Sequence, residues 1–245
     1  MTTNMINHFF ASDPHWHHRG IIRYTDRCKV VLYPDELKAF QEGKLRIVKE
    51  HTDRMDTMLV DNINKTVPKE GILHLLGDLV VGVDHRDNRK FLPAILERIN
   101  CKNIFCVYGN HDSPDLVDQH VAKGFVRPIL LIDKTTGKFH IDDRGIGVRA
   151  VRKQRENYWG FSLDHYAQAI WRNNHRGYFN LYGHSHRNAE KMLDVAFANR
   201  RSTDVGFDNA YELLGEHRPF SLPEVLGFLE KRVGAIIDHH RDREE

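Results

Sequence analysis

Short apolar stretches alternate with longer stretches of helical period in the first half of the chain. Three of the apolar stretches predict buried strands, at residues 6–11, 72–76 and 104–108. Between them, apolar residues recur at helical spacing over residues 55–67, with a helix start expected near Leu45, and again over residues 91–99. This order predicts parallel strands connected by helices.

The second half of the chain has a different pattern. Turns that contain Gly or Asp separate three short apolar stretches, which predicts antiparallel strands at residues 129–132, 138–141 and 146–151. Two further apolar stretches, at residues 161–166 and 178–182, run into histidines. The two halves together predict a mixed fold of the α/β or α+β class.

The end of the chain is expected to be a surface helix followed by a charged tail. The helix is predicted over residues 222–237, starting near Ser221, and the tail, predicted to fray, covers residues 238–245. The 245 residues contain no internal repeat or low-complexity linker. We therefore expect one domain over residues 1–245, with its core in 6–210 and the C-terminal helix and tail in 221–245.

Five of the predicted strands end in side chains that bind metals or carry protons. They are Asp13 and His15, Asp78, Asn110 and His111, His165, and His184 and His186. Any one of these clusters is also compatible with a polar turn that closes a strand. A single sheet edge, however, can collect all of them. Without His111, seven oxygen and nitrogen ligands remain, which are too many for one four-coordinate zinc and suit two adjacent ions that share a carboxylate.

The spacing inside these clusters adds detail to the prediction. In extended backbone, the one-residue gap between Asp13 and His15 points both side chains the same way, and His184 and His186 repeat that gap. In the turn at residues 109–112, Gly109 permits a sharp bend and Asn110 offers a neutral oxygen ligand. His111 can exchange a proton near neutral pH, and Asp112 is expected to orient its imidazole.

The ordered motifs resemble those of the calcineurin-like metallophosphoesterase superfamily. The matching blocks extend over residues 8–186 and are Asp13-x-His15, Gly77-Asp78, Gly109-Asn110-His111-Asp112, His165 and Gly183-His184-Ser185-His186. The surrounding residues 12–22 and 74–78 are similar to a branch of small bacterial and phage phosphoesterases. The resemblance implies a four-layer sandwich of two mixed β-sheets flanked by helices, with a dinuclear metal site at the carboxyl ends of the strands.

The resemblance also implies a role for each motif residue. One ion is expected on Asp13, His15 and His186, and the other on Asn110, His165 and His184, with Asp78 bridging both. By the same resemblance, a metal-bridging hydroxide is expected to attack phosphorus in line, and His111, steered by Asp112, is expected to protonate the leaving alkoxide as general acid. Manganese is the expected metal, and iron, nickel and zinc are compatible with this mixed ligand set.

Several neighbouring residues leave more than one interpretation open. His17 stands where this branch often has glycine, and His18 matches a recurrent histidine. Both are candidate substrate-binding residues, although His18 is equally compatible with simple packing. His74, within a predicted strand, is interpreted as a core histidine with a backbone partner. The segment at residues 204–208 resembles a family segment and is interpreted as structural.

The predicted function is hydrolysis of a phosphate ester, with a small molecule or a nucleotide as substrate. We favour a phosphodiester because nothing in the chain resembles the extended peptide-binding features of protein phosphatases. Two alternatives stay open, a metal-dependent nuclease and a non-catalytic scaffold or binding protein on the same fold. Selectivity is expected to reside in the loops at residues 82–88 and 145–160.

Composition limits the choice of partners. The 36 basic and 34 acidic residues give a net charge of +2, so the charge does not call for a nucleic-acid or membrane partner. The basic run of Arg149, Arg152, Lys153 and Arg155 is interpreted as a solvated face, with phosphate or nucleic-acid contact beside Tyr158 and Trp159 as the alternative. We expect a cytoplasmic protein, because there is no leader-like segment, no run of about 18 apolar residues and no cysteine framework.

Overall fold

Two five-stranded sheets form the centre of the fold. The computed structural model describes residues 7–82, 85–143 and 156–232. The strands are, in chain order, β1 (His8–Ala11), β2 (Ile72–Leu75), β3 (Asn103–Val107), β4 (Lys123–Phe125), β5 (Ile129–Asp133), β6 (Phe139–Asp142), β7 (Tyr158–Leu163), β8 (Phe179–Tyr182), β9 (Ser202–Asp204) and β10 (Phe220–Ser221). One sheet has the order β10-β1-β2-β3-β4 and the other β6-β5-β7-β8-β9.

Helices connect and cover these strands. In the described residues they are α1 (Arg19–Tyr24), α2 (Cys28–Val31), α3 (Pro34–Gln41), α4 (Lys49–Thr66), α5 (His85–Arg98), α6 (Pro114–Val117), α7 (Glu190–Ala196), α8 (Phe207–Leu214) and α9 (Leu222–Leu229), and a 3₁₀ turn spans Asn174–Arg176. No helix in the described ranges combines the length and the apolar composition needed to cross a bilayer. The elements confirm an α+β fold with two mixed sheets.

Strand direction brings the candidate ligands to one end of each sheet. In the first sheet β1, β2, β3 and β4 are parallel and β10 is antiparallel to β1. In the second sheet β7, β8 and β9 are parallel, and β5 is antiparallel to both β6 and β7, which confirms the predicted antiparallel pairing of β5 with β6. Parallel neighbours place their carboxyl ends at the same edge, so every predicted ligand cluster follows a strand that ends at such an edge.

Alternating side chains of the first sheet divide the core into two layers. Ala11 and Leu75 face the helices, whereas Phe10 and Val107 pack with residues of the second sheet such as Phe161. This is the period-two burial expected of a sheet covered on both faces. Cys101 and Cys106 are buried in the helical layer, and Cys28 is partly buried against it.

Helix α4 contributes its apolar face to the helical layer of the core. Met55, Leu59 and Ile63 recur every fourth residue and are all buried, as the sequence pattern predicted. The helix begins at Lys49 rather than near Leu45. The backbone N–H of Val48 donates to His51 Nδ1 at 2.9 Å, which satisfies a free donor at the helix start.

Four predictions about local structure are wrong or lie outside the described residues. Helix α5 begins at His85, so much of the segment predicted as a loop at residues 82–88 is helical. Its polar first turn carries no helical apolar period, but Asn88 Oδ1 accepts a hydrogen bond from Gly82 N at 2.7 Å and ties the turn down. The predicted strand at 146–151, the basic run at 149–155 and the tail at 238–245 lie outside the described residues.

The C-terminal helix is shorter than predicted. It begins after Ser221 as expected, where Ser221 N donates to Glu224 Oε2 at 2.8 Å, but it ends at Leu229. Glu230 accepts a hydrogen bond from Trp159 Nε1 at 2.9 Å, and the carbonyl of Arg232 accepts one from Arg201 at 2.7 Å. These contacts with the second sheet lead the chain out of the helix, and residues 233–237 lie outside the described part.

Candidate metal centre

The carboxyl ends of the strands from both sheets meet at one place. His184 N, after β8, donates to Asp13 Oδ2, after β1, at 2.8 Å. Ser12 Oγ donates to the carbonyl of Leu76, after β2, at 2.7 Å. Ser12 also forms an isolated parallel bridge with Gly206. The two sheets are therefore joined at the ends that carry the predicted ligands.

The predicted ligands form two adjacent groups. Their ligand atoms lie within 4.8 Å of one another in each group, which are Asp13, His15 and His186 in one and Asp78, His165 and His184 in the other. Asp78 Oδ2 lies 3.5 Å from His15 Nε2 and 3.3 Å from His165 Nε2, so it stands between the groups. Asn110 Oδ1 joins the second group at 3.2 Å from His165 Nε2.

The hydrogen bonds of two histidines leave one ring nitrogen of each free to bind a metal. His165 Nδ1 donates to the carbonyl of Leu76 at 2.7 Å, and His186 Nδ1 donates to Asp208 Oδ2 at 2.7 Å. Such outer partners fix the tautomer and orientation of metal-binding imidazoles. His165 Nε2 then faces Asp78 Oδ2 and Asn110 Oδ1, two acceptors that a proton on Nε2 or a cation satisfies.

Buried atoms without partners point to the same chemistry. Within the described residues, Asp13 Oδ1 and both ring nitrogens of His15 have no hydrogen-bond partner, although both side chains are buried. Leaving a buried polar atom unpaired costs about 1–3 kcal/mol. Carboxylate and imidazole are ligands that divalent transition metals accept, so the residues fit a metal centre.

Electrostatic coupling inside the second group is strong. Burial favours the neutral acid of Asp78, but the hydrogen bond and charge of His165 outweigh it and lower the pKa of Asp78 to about 2. Burial likewise disfavours the His165 imidazolium, but Asp78 and Asp13 outweigh it and raise the pKa of His165 to about 9. A proton on His165 therefore takes the place that a cation would occupy, and a bound metal would displace that proton.

The backbone at the candidate ligands adopts the left-handed conformation. Five of them have positive φ, namely Asp13 (55°), His15 (48°), Asp78 (54°), His184 (68°) and His186 (46°). The prediction that extended backbone aligns each one-residue pair is therefore wrong, because sharp left-handed turns bring the side chains together instead. Residues other than glycine are uncommon in this region, and such strain concentrates at functional sites.

Two glycines allow the turns after β2 and β3 to touch. A Cβ atom on Gly77, whose φ is 95°, lies 2.6 Å from both Gly109 N and His165 Nδ1. A Cβ atom on Gly109 overlaps the backbone and side chain of Asp78. Any side chain at either position therefore separates the turns that carry the second ligand group.

His111 lies beside both groups, but Asp112 has a different role from the predicted one. The His111 ring is exposed and centred 5.6 Å from the His15 ring, and its backbone N–H donates to Asp78 Oδ1 at 2.9 Å. The Asp112 carboxylate accepts backbone N–H groups from Asp78, Gly109 and Leu79 at 2.8, 2.8 and 2.9 Å. Its oxygens are occupied by backbone donors, so Asp112 holds the turns in place rather than orienting the imidazole.

A buried arginine supports the first group and was missed by the sequence analysis. Arg27 is fully buried and donates to Asp208 Oδ1 and Oδ2 at 3.0 and 2.8 Å, and to the carbonyls of Asp13 and Pro14 at 2.7 and 2.6 Å. Burial favours the neutral acid of Asp208, but Arg27 and His186 outweigh it and keep the pKa of Asp208 well below its ordinary value. Asp208 lies in the segment predicted to be structural, and it directly orients His186.

Tyr166 is a second residue that the sequence pattern did not single out. Its hydroxyl donates to Asn110 Oδ1 at 3.1 Å, and its ring is centred 4.3 Å from the His184 ring. The hydroxyl thereby fixes which atom of the Asn110 amide faces the second group. The residue directly follows His165, but no spacing rule connects it with Asn110.

The remaining predicted histidines have three different environments. His18 is half-buried, with its ring centred 5.5 Å from that of His15, and burial lowers the pKa of His18 to about 4. The His17 ring stacks on Phe91 with ring centroids 3.6 Å apart. This contact does not test the assignment of His17 to substrate binding, which stays a prediction. His74 Nε2 forms a hydrogen bond with His8 Nδ1 at 2.9 Å. The predicted backbone partner is therefore wrong, because hydrogen bonds between neighbouring strands already use the backbone groups there.

Comparison with known proteins adds information about the fold alone. No family model and no curated protein matches the chain. A crystal structure titled as that of a protein of unknown function from Aquifex aeolicus is similar, with a TM-score of 0.55 and 14% identity, covering 90% of this chain and 98% of that chain. At this identity the likeness shows the architecture alone.

Proposed function

We propose that the protein is a metal-dependent phosphoesterase with a dinuclear centre. The observation that carries the proposal is the shared position of Asp78 Oδ2, 3.5 Å from His15 Nε2 in one ligand group and 3.3 Å from His165 Nε2 in the other. A carboxylate between two groups of nitrogen and oxygen ligands suits a pair of divalent ions. The proposal includes the four-layer sandwich of the calcineurin-like superfamily and manganese as the metal.

The ligand groups and His111 divide the chemistry between them. When bound, a metal pair acidifies water and offsets the charge that develops on phosphate during in-line displacement. His111 is exposed beside the groups, and its turn is held by Asp78 and Asp112. A water that has lost one proton to solvent forms a new bond from its oxygen to phosphorus, and the bond from phosphorus to the leaving oxygen breaks. The leaving oxygen keeps the electron pair of that bond and takes a proton from His111, which then regains one from solvent.

The substrate that we propose is a phosphodiester, either a small molecule or a nucleotide derivative. The exposure of His111 and His184 leaves the site accessible at the sheet edge. The left-handed backbone of five ligands argues for a catalytic role over a scaffold, because strain of about 1–3 kcal/mol per residue has to be compensated elsewhere. Degradation of single-stranded DNA or RNA is the result that favours a nuclease instead.

The test compares esters, metals and one catalytic variant. Protein stripped of metal and reloaded with manganese is assayed with bis-p-nitrophenyl phosphate and p-nitrophenyl phosphate, and bound metal is counted by elemental analysis. We expect faster cleavage of the diester, and His111→Gln is expected to retain metal while losing about 10²–10⁴ in turnover. His120→Gln, at an exposed histidine, is the matched control. Unchanged turnover in His111→Gln removes that residue from the mechanism, and a loaded protein that cleaves neither ester contradicts the proposal.

A further inference from the structure

A cavity with His111 in its wall lies beside the candidate metal centre. Its volume is about 220 Å³, and His111 and Ser113 form part of its wall. His111 also lies close to the metal ligands, since its ring is centred 5.6 Å from that of His15. His111 therefore borders both the ligand groups and the cavity. A leaving group that takes a proton from His111 has this cavity within reach.

The wall opposite this polar edge is apolar. Val80, Leu92 and Val117 line the cavity and are buried in the helical layer of the core. These side chains come from the turn after β2, from α5 and from α6, so three elements hold the wall in place. A wall of this kind favours a ring or another apolar body over a small hydrated ion.

Arg89 adds a positive charge to the same cavity. It lies on α5, is exposed, and has no ion-pair partner among the described residues. Asp112 also lines the cavity, but its two oxygens accept backbone N–H groups from Asp78, Leu79 and Gly109. The guanidinium is therefore available to pair with an anionic group on a bound molecule.

We propose that this cavity binds the leaving half of the substrate, and that this half combines an apolar body with an anionic group of its own. The inference rests on the proposed phosphoesterase function and specifies its substrate class: phosphodiesters whose departing alcohol is itself charged, as in nucleotides. Arg89 is a specificity-determining residue that contacts the anionic group, while the apolar wall accepts the body. His111 borders both this subsite and the ligand groups.

Two matched diesters test the proposal. In methyl 4-nitrophenyl phosphate the leaving phenol carries no further charge, and in methyl 3-carboxy-4-nitrophenyl phosphate it carries a carboxylate. We expect Arg89→Ala to lower kcat/KM for the carboxylated diester about tenfold, mainly through KM, and to change the other substrate by less than about twofold. Lys90→Ala, at the exposed neighbour on the same helix, is the control, and Arg89→Lys is expected to recover part of the loss.

A binding measurement separates this inference from the proposed function. The phenol released from the carboxylated diester, 5-hydroxy-2-nitrobenzoate, is titrated into the unmodified protein and into Arg89→Ala by calorimetry, with 4-nitrophenol for comparison. Weaker binding of the carboxylate alone in Arg89→Ala supports the subsite even if no diester is cleaved. Equal effects of Arg89→Ala on both phenols and both diesters, or no effect on either pair, overturn it.

Discussion

Asp78 Oδ2 lies 3.5 Å from His15 Nε2, across the boundary between the two groups of candidate ligands. The same oxygen lies 3.3 Å from His165 Nε2, and the second oxygen of Asp78 accepts the backbone N–H of His111 at 2.9 Å. One carboxylate thus contacts both groups and the turn of the proposed general acid. Its left-handed backbone, with φ of 54°, is what directs it there from the end of β2.

Asp78→Asn is expected to remove the paired centre. An amide offers one neutral oxygen where the carboxylate offers two charged ones, so it no longer balances two cations. After dialysis against manganese, the metal content measured by elemental analysis is expected to fall from two ions per chain to one or fewer. Asp61→Asn, at an exposed position on α4, is the control for the loss of one charge. Two retained metals per folded Asp78→Asn chain refute the bridging role.

The local parts of the site could be predicted from the sequence, and the supporting contacts could not. Each ligand cluster is a few residues long and follows an apolar strand, so both strand and ligands are visible in one stretch of chain. Arg27 and Asp208, in contrast, are separated by 181 positions, and their hydrogen bonds depend on how the turn before α2 lies against the start of α8. The roles of Asp112 and Tyr166 likewise depend on which turns face each other.

The same distinction applies to the fold. The strands β1, β2 and β3 and the buried face of α4 were predicted close to their observed positions, whereas the starts of α4 and α5 were not. Short elements such as α1, β4 and β9 have too few residues for a period to appear, and long-range pairing stabilises them. The end of α9 at Leu229 follows from contacts of Glu230 and Arg232 with the second sheet, which the local sequence does not specify.

Asp208→Asn tests how the first ligand group is oriented. The carboxylate accepts a hydrogen bond from His186 Nδ1 at 2.7 Å and binds the Arg27 guanidinium. Its loss frees the ring of His186 to change tautomer and leaves Arg27 without its charge partner, so we expect metal affinity to fall about 10–100-fold. Competition with a metal-binding dye measures this affinity.

The control for Asp208→Asn is Glu212→Gln, an exposed change on the same helix that removes an ion pair with Arg187. It is expected to leave metal affinity unchanged. The melting temperature is measured on both proteins without metal. A lower value for Asp208→Asn indicates a general loss of stability, whereas an equal value attributes the loss of metal affinity to the orientation of His186. Unaltered metal affinity in a folded Asp208→Asn protein contradicts the orienting role.

A buried pair of histidines lies away from the candidate centre. His8 Nδ1 and His74 Nε2 are 2.9 Å apart, and their stacked rings are surrounded by Phe10, Phe105 and Phe139. Burial lowers the pKa of His8 to about 4, against an opposing hydrogen bond to the carbonyl of Gly137. Burial also places the pKa of His74 well below its ordinary value. Both rings are therefore neutral in the folded protein at neutral pH.

The pair is expected to make the protein less stable in mild acid. Between pH 6.5 and 4 the unfolded chain binds protons at these rings and the folded protein does not, so the free energy of unfolding decreases as pH falls. His8 alone accounts for about 3 kcal/mol over this window, and His74 acts in the same direction.

Urea titrations from pH 4 to 7 are expected to show a smaller pH slope of the free energy of unfolding for His8→Phe/His74→Phe than for the unmodified protein. The comparison uses slopes, so a constant loss of stability in the double variant does not affect it. His140→Gln, at an exposed position in β6, is expected to keep the original slope, and an unchanged slope in the double variant contradicts the account.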